Sequence, residues 1–120
     1  MGERARFPRR VYAHGEEPDP RFSLANERTF LAWVRTALAL LAAGVAVEAL
    51  ALPLQETLRQ LTAVLFVVMG LLSSAQAWFG WARAERALRL GRPLPSPALS
   101  GVVAAGVVLA GVLLVVGVLL

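Results

Sequence analysis

The sequence predicts an all-α membrane protein with three transmembrane helices, the first extended by an amphipathic segment at the cytoplasmic interface. Three observations carry this. The 120 residues are 58% hydrophobic, with a mean hydropathy of +0.64. The charges are segregated: of 12 arginines and eight acids, 11 residues fall within 1–30 and five within 83–92. Residues 36–82 hold only Glu48, Glu56 and Arg59, and residues 93–120 hold no charge. Water cannot solvate such stretches, whereas hydrocarbon can.

Residues 1–18 are polar and patternless, and read as a flexible cytoplasmic tail ahead of a membrane domain over 19–120. Their basic start resembles the head of a signal peptide, but the apolar run begins too late. The Arg9-Arg10 pair also lacks the flanks of a twin-arginine signal, so no cleavage is expected. The first helix should start with Asp19 as N-cap and Pro20 in its first position, and end near Leu52 ahead of Pro53. That length, ~50 Å at 1.5 Å per residue, exceeds a hydrocarbon core of ~30 Å. Residues 20–33 therefore form the interfacial stretch and about 34–52 the span. A short connection over 54–60 leads to a second span at about 61–81. The linker from Arg83 to Arg92 keeps a helical pattern at its start, so the second helix should overrun the membrane by two turns. Pro93, Pro95 and Pro97 then precede a third span at about 98–120.

Orientation follows from arginine asymmetry. The N-terminal flank and the 83–92 loop are basic, whereas the 53–60 loop has only Arg59. The positive-inside rule places the N-terminus in the cytoplasm and the C-terminus outside, in a multi-pass protein of the plasma (inner) membrane. Phe30, Trp33, Trp78, Phe79 and Trp81 then fall together at the cytoplasmic boundary, as an aromatic belt.

Composition also excludes functions. There is no cysteine, hence no disulfide or thiol chemistry, and a single histidine, His14, leaves no metal-ligand set and no expected cofactor. No phosphate-cradling loop or nucleophile elbow is present, and there is no room for a soluble catalytic domain, so the chain is not expected to be an enzyme. The arginines near Trp81 are explained by a membrane-flanking loop rather than by nucleic acid.

The candidate functional residues lie mainly on the first helix. Arg21, Arg28 and Arg35 recur every seven residues, so they form one basic stripe entering the membrane edge. Stacked across several subunits, such a stripe makes cationic rings suited to phosphate-like anions. Alternatively, the arginines snorkel to anionic lipid headgroups and fix topology. Asn26 suits a helix–helix hydrogen bond, and Glu27 suits pairing with an arginine of a neighbouring helix. Glu48 lies inside the outer boundary, where a charge is expensive. Its two readings are a gate in an inter-subunit path, and a neutral or hydrogen-bonded carboxyl facing Thr62 or another helix. On the second helix Thr62, Ser73, Ser74 and Gln76 suit interhelical hydrogen bonds. Gly101-x-x-x-Ala105 and Gly106-x-x-x-Ala110 on the third permit close packing.

The segment Asp19-Pro-Arg21, followed by Leu24-Ala-Asn-Glu-Arg-Thr-Phe-Leu-Ala-Trp-Val-Arg-Thr-Ala-Leu-Ala-Leu40, resembles the YidH family, a domain-of-unknown-function family of small bacterial inner-membrane proteins. The three-span layout and the Trp/Arg-rich end of the second helix are similar too. The family's domain is in turn similar to the membrane part of the eukaryotic vacuolar transporter chaperone complex, which makes polyphosphate and passes it across a membrane. This resemblance implies that the first helix lines an inter-subunit pore with basic residues at its cytoplasmic mouth. Arg21 and Arg28 would contact phosphate, Glu27 would help fix the assembly, and Arg83 is a further candidate for the same mouth. The implied partners are anionic lipid, further copies of the chain, and phosphate or polyphosphate.

Two readings stand: an oligomeric conduit for such anions, and a non-conducting scaffold or accessory subunit of a membrane complex. Either requires the predicted orientation. A reporter fused to Leu120 should be active only outside the cytoplasm, and a C-terminus reporting from the cytoplasm would overturn the assignment.

Overall fold

The structure, a computed structural model, describes residue 6 and residues 8–96 and 98–120. Four helices follow in order: α1 (Arg9–Tyr12), α2 (Pro20–Ala49), α3 (Glu56–Leu90) and α4 (Leu99–Leu119). The last three are long and apolar enough to cross a membrane. They form an elongated bundle of 66 × 24 × 20 Å in which α3 is central. Helix α2 packs on one side of α3 and α4 on another, and α1 packs on the end of α3. Among the described residues no Cα atom of α2 lies within 8 Å of one in α4, and side chains of the two helices border a groove between them.

The helix ends follow local chemistry. Asp19 caps α2, its side chain accepting from the Arg21 backbone N–H at 2.9 Å, and Pro20 occupies the first turn. The Arg21 guanidinium also reaches the same carboxylate at 2.8 Å. That side-chain hydrogen bond, and then the backbone one, holds the Asp19 carboxyl below the ordinary carboxylate range. The cap is therefore complete above the ordinary carboxylate pKa and is lost only as pH falls through the lowered one. Helix α2 runs unbroken through residues 20–33 and stops at Ala49, three residues before the predicted end near Leu52. Ala51 turns left-handed at φ 47°, and Leu52 precedes Pro53, which disfavours helical backbone.

Gln55 caps α3 by accepting from the Leu58 N–H at 2.8 Å, and its own N–H donates to Gly117 O at 3.2 Å. The second bond ties the α2–α3 loop to the far end of α4. Helix α3 overruns the predicted span and closes on Gly91, whose φ of 66° is the left-handed cap that glycine adopts without strain.

The α2–α3 seam is built largely from small residues. Ala37 and Gly44 of α2 meet Gly70 and Ala63 of α3, and all four are buried. A Cβ on Gly44 would lie 2.8 Å from Val67 Cγ2 and 3.0 Å from Ala63 O. One on Gly70 would lie 2.7 Å from Leu41 Cγ and 3.1 Å from Ala37 O. The absence of side chains at these points sets how closely the two backbones approach. On α4, Gly106 meets Met69 and Ala110 is fully buried, whereas Gly101 and Gly111 face open space. Only part of the small-residue pattern of the third span is thus used within the chain.

The polar groups of α3 differ from expectation. Thr62 Oγ1 donates to Leu58 O of its own helix at 2.7 Å rather than to a neighbour. Ser73 Oγ is buried with no hydrogen-bond partner among the described residues.

The described part of the predicted flexible tail, Arg6 and residues 8–18, lies against the end of α3 and contains α1. Residues 1–5 and 7 of that tail lie outside the described residues.

Overpacking a tight seam costs about 1–3 kcal/mol. Gly70→Val should lower thermal stability in detergent by that order, while Gly111→Ala, facing open space, should leave it within about 0.5 kcal/mol. Equal effects of the two variants would contradict the packing described.

Candidate functional site

The polar chemistry concentrates where α2 begins and α3 ends. Asn26 is buried on the α3-facing side of α2, and its Nδ2 donates to Trp81 O at 3.1 Å and to Glu85 Oε1 at 3.2 Å. Ser23, one turn earlier on the same face, donates through Oγ to Glu85 Oε2 at 2.7 Å. Both oxygens of a buried carboxylate are thus engaged from the opposite helix. Against the apolar seam further along, this three-residue clasp supplies register, because only one axial offset satisfies both bonds.

One turn beyond Glu85, Arg89 is also buried. Its guanidinium donates to His14 O at 2.7 Å, to Tyr12 O at 3.0 Å and to Glu17 Oε1 at 3.0 Å. The Glu16 N–H returns a bond to Arg89 O at 3.0 Å. Gly15, at φ 66°, passes so close to the Arg89 carbonyl that no side chain could fit there. A single cation thereby ties residues 12–17 as a strap across the end of α3. Arg6 pairs with Glu17 as well and lies over the Tyr12 ring, 4.2 Å from its centroid.

The residues singled out in the sequence are distributed over different faces. Asn26 forms an interhelical hydrogen bond of the kind expected of it. Arg21 is engaged by Asp19. Arg28 and Arg35 are exposed and form no ion pair among the described residues. Each stands two residues, about 200° of helical turn, from a residue packed on α3, namely Asn26 and Ala37. The stripe therefore points away from α3 and does not face the 83–92 cluster, because the small and amide-bearing positions take the inner side.

Arg83 is exposed at the rim of a cleft of about 240 Å³ bounded by α2, α3 and residues 94–96, with Asn26, Trp33 and Gln76 among its walls. Glu27 is exposed and makes no ion pair among the described residues. Glu48, at the end of α2, approaches Arg59 in the first turn of α3, its Oε1 lying 3.8 Å from the Arg59 Nε. No group of three or more metal-ligating side chains occurs among the described residues.

Sequence reasoning missed Ser23, Glu85 and Arg89. The available signal was spacing: Ser23 and Asn26 at i, i+3 and Glu85 and Arg89 at i, i+4 each fall on one helix face.

Comparison with known proteins agrees with this architecture. Residues 21–87 match the family described as Domain of unknown function (DUF202). The chain is 52% identical over 85 residues to Inner membrane protein YidH of Escherichia coli, covering 68% of this chain and 71% of that protein. It is 47% identical over 91 residues to a Mycobacterium tuberculosis protein described as uncharacterized, covering 75% of each. No solved structure matches.

Removing the Arg89 side chain should free the strap. Arg89→Ala forfeits charge-assisted hydrogen bonds of the order of 1.5–3 kcal/mol, so trypsin should cut at Arg9 and Arg10 about tenfold faster or more. An unchanged cleavage rate would mean that Arg89 does not hold the strap. The matched segment spans both the clasp and the seam, and the chain belongs to the DUF202 family, of which YidH is a relative.

Proposed function

We propose that the chain is a non-enzymatic inner-membrane protein that assembles with further copies of itself. In this reading α2 lies at or near the axis, and its arginine stripe forms a basic cytoplasmic mouth for phosphate-type anions. Residues 20–33 ride in the cytoplasmic interface, and the C-terminus lies outside. The observation that carries the reading is the outward direction of Arg28 and Arg35, with no acid of the described chain paired to either. A cationic face left open by the chain's own packing is available to anions or to neighbouring subunits.

Three further points support it. The inner-membrane placement agrees with the name of the YidH relative and with three membrane-length helices. The resemblance to the membrane part of the polyphosphate-exporting complex gives the anion its class. Along its middle the α2–α3 seam is closed by Ala37, Gly44, Ala63 and Gly70, which leaves an aqueous path between subunits as the one this reading uses.

The second reading, a non-conducting scaffold, places the same stripe on lipid phosphates. It draws on the depth of Arg28 and Arg35, close in sequence to Phe30 and Trp33 at the aromatic belt, where guanidinium groups meet headgroups.

Reconstituted vesicles separate the two. Conduction predicts efflux of phosphate or short polyphosphate that Arg28→Ala reduces about tenfold or more. It also predicts that a single cysteine at position 28, in a chain that otherwise has none, cross-links between copies. Absence of flux, or flux indifferent to Arg28→Ala, would overturn the basic-mouth reading.

A further inference from the structure

A second cavity lies beside the clasp, and its chemistry is opposite in sign to that of the arginine stripe. It measures about 320 Å³ and sits between α1, α2 and α3. Four aromatic rings wall it, Tyr12, Phe30, Trp78 and Trp81, together with the carboxylates of Glu27 and Glu85. Three of the rings form a connected set: Trp78 and Trp81 have centroids 5.4 Å apart, and Tyr12 and Trp81 6.2 Å. No arginine is among the residues lining it.

This composition is unexpected in a chain that is basic overall, at a membrane end crowded with arginine. The two carboxylates are held differently. Glu85 is buried, accepts from Ser23 and Asn26, and makes no ion pair with a cation of the described chain. Its near neighbour Arg89 is committed to Glu17 and two carbonyls. A buried carboxylate usually has a cation beside it, because desolvation is otherwise uncompensated. Two hydrogen bonds leave accepting capacity on its oxygens. Glu27 is exposed at the mouth and supplies a second negative charge. Aromatic faces carry negative potential, and several rings around one volume, closed by carboxylates, make a site for an organic cation. Two guanidinium groups outside the cavity lining already lie over the Tyr12 ring, Arg6 at 4.2 Å and Arg89 at 5.5 Å from its centroid, so the ring is used for this kind of contact.

We propose that the cavity bounded by Tyr12, Phe30, Trp78, Trp81, Glu27 and Glu85 binds an organic ammonium group. The cation's methyl or methylene surface lies on the rings, Glu27 closes the mouth, and Glu85 offsets the charge from within. The site's level on α2 and α3, at the boundary where aromatic residues gather, admits the group from either of two sources. One is the ethanolamine or choline headgroup of a phospholipid. The other is a free ammonium ion in the cytoplasm. The inference is independent of the anion reading, since the stripe and the cavity share no residue.

Tryptophan emission provides the test, because two of the protein's three tryptophans line the cavity. The intact chain in phosphatidylglycerol nanodiscs is titrated with tetramethylammonium chloride against sodium chloride of equal ionic strength. In a second arm, phosphatidylethanolamine replaces part of the phosphatidylglycerol. Saturable quenching or a spectral shift with tetramethylammonium, absent with sodium, is expected. Glu27→Gln, at an exposed side chain with no hydrogen bond among the described residues, should weaken it about fivefold or more, and Tyr12→Leu should weaken it similarly.

A response to tetramethylammonium that phosphatidylethanolamine does not compete away assigns the site to a free cation. Competition by that lipid assigns it to the headgroup. Three outcomes overturn the proposal. One is a response equal to that of sodium, and another is saturable binding indifferent to both variants. The third is preferential saturation by guanidinium chloride at millimolar concentration, which would give the cavity to an arginine side chain.

Discussion

Close approach of α2 and α3 is the constraint on which the rest of the molecule depends. In a bilayer, apolar side chains gain little by leaving lipid for one another, so helix pairs associate through backbone proximity and a few interhelical hydrogen bonds. Ala37, Gly44, Ala63 and Gly70 supply the proximity. The bonds from Ser23 and Asn26 to Glu85 supply the register at one end. With that pair fixed, the end of α3 becomes a platform on which Arg89 can seat the strap, and its flank a surface against which Met69 receives Gly106 of α4.

The same geometry sorts the charges by role. The arginines of the two basic clusters divide into an outward stripe on α2, a buried tether at Arg89 and a rim at Arg83. Glu85, flanked by arginines in the chain, bonds to none of them and is held instead by a serine and an asparagine. Local sequence neighbourhood is a poor guide to electrostatic neighbourhood on a helix, since adjacent residues diverge by about 100°.

What the sequence made legible follows from that distinction. The three long helices, the Asp19–Pro20 start and the continuation of α3 to Leu90 could be read because apolar run length, proline and capping act locally along the chain. Asn26 could be recognised as an interhelical donor because an amide on an apolar helix face needs a partner. Its acceptor could not, because Glu85 sits 59 residues away inside a run whose arginines dominate any reading of charge. The strap was illegible for another reason: it is bound mainly through the carbonyls of Tyr12 and His14, and backbone acceptors leave no trace in residue identity. The approach of Glu48 to Arg59 depends on how the loop between Ala49 and Glu56 folds back, a turn whose left-handed Ala51 is not a residue type that announces it.

The wide separation of the α2 and α4 backbones among the described residues makes the bundle's interfaces unequal. Two interfaces joined through α3 form a hinge with a spine and two leaves, not a closed triangle. The groove between the leaves is lined by Thr29, Trp33, Thr36, Ser100 and Val103 and opens sideways. The inner leaf, α2 on α3, is fastened at one end by hydrogen bonds. The outer leaf, α4, is latched to the α2–α3 loop through the bond from Gln55 to Gly117. The angle between the leaves is thus set through α3 and the Gln55–Gly117 bond, whereas side-chain hydrogen bonds fix the α2–α3 register directly.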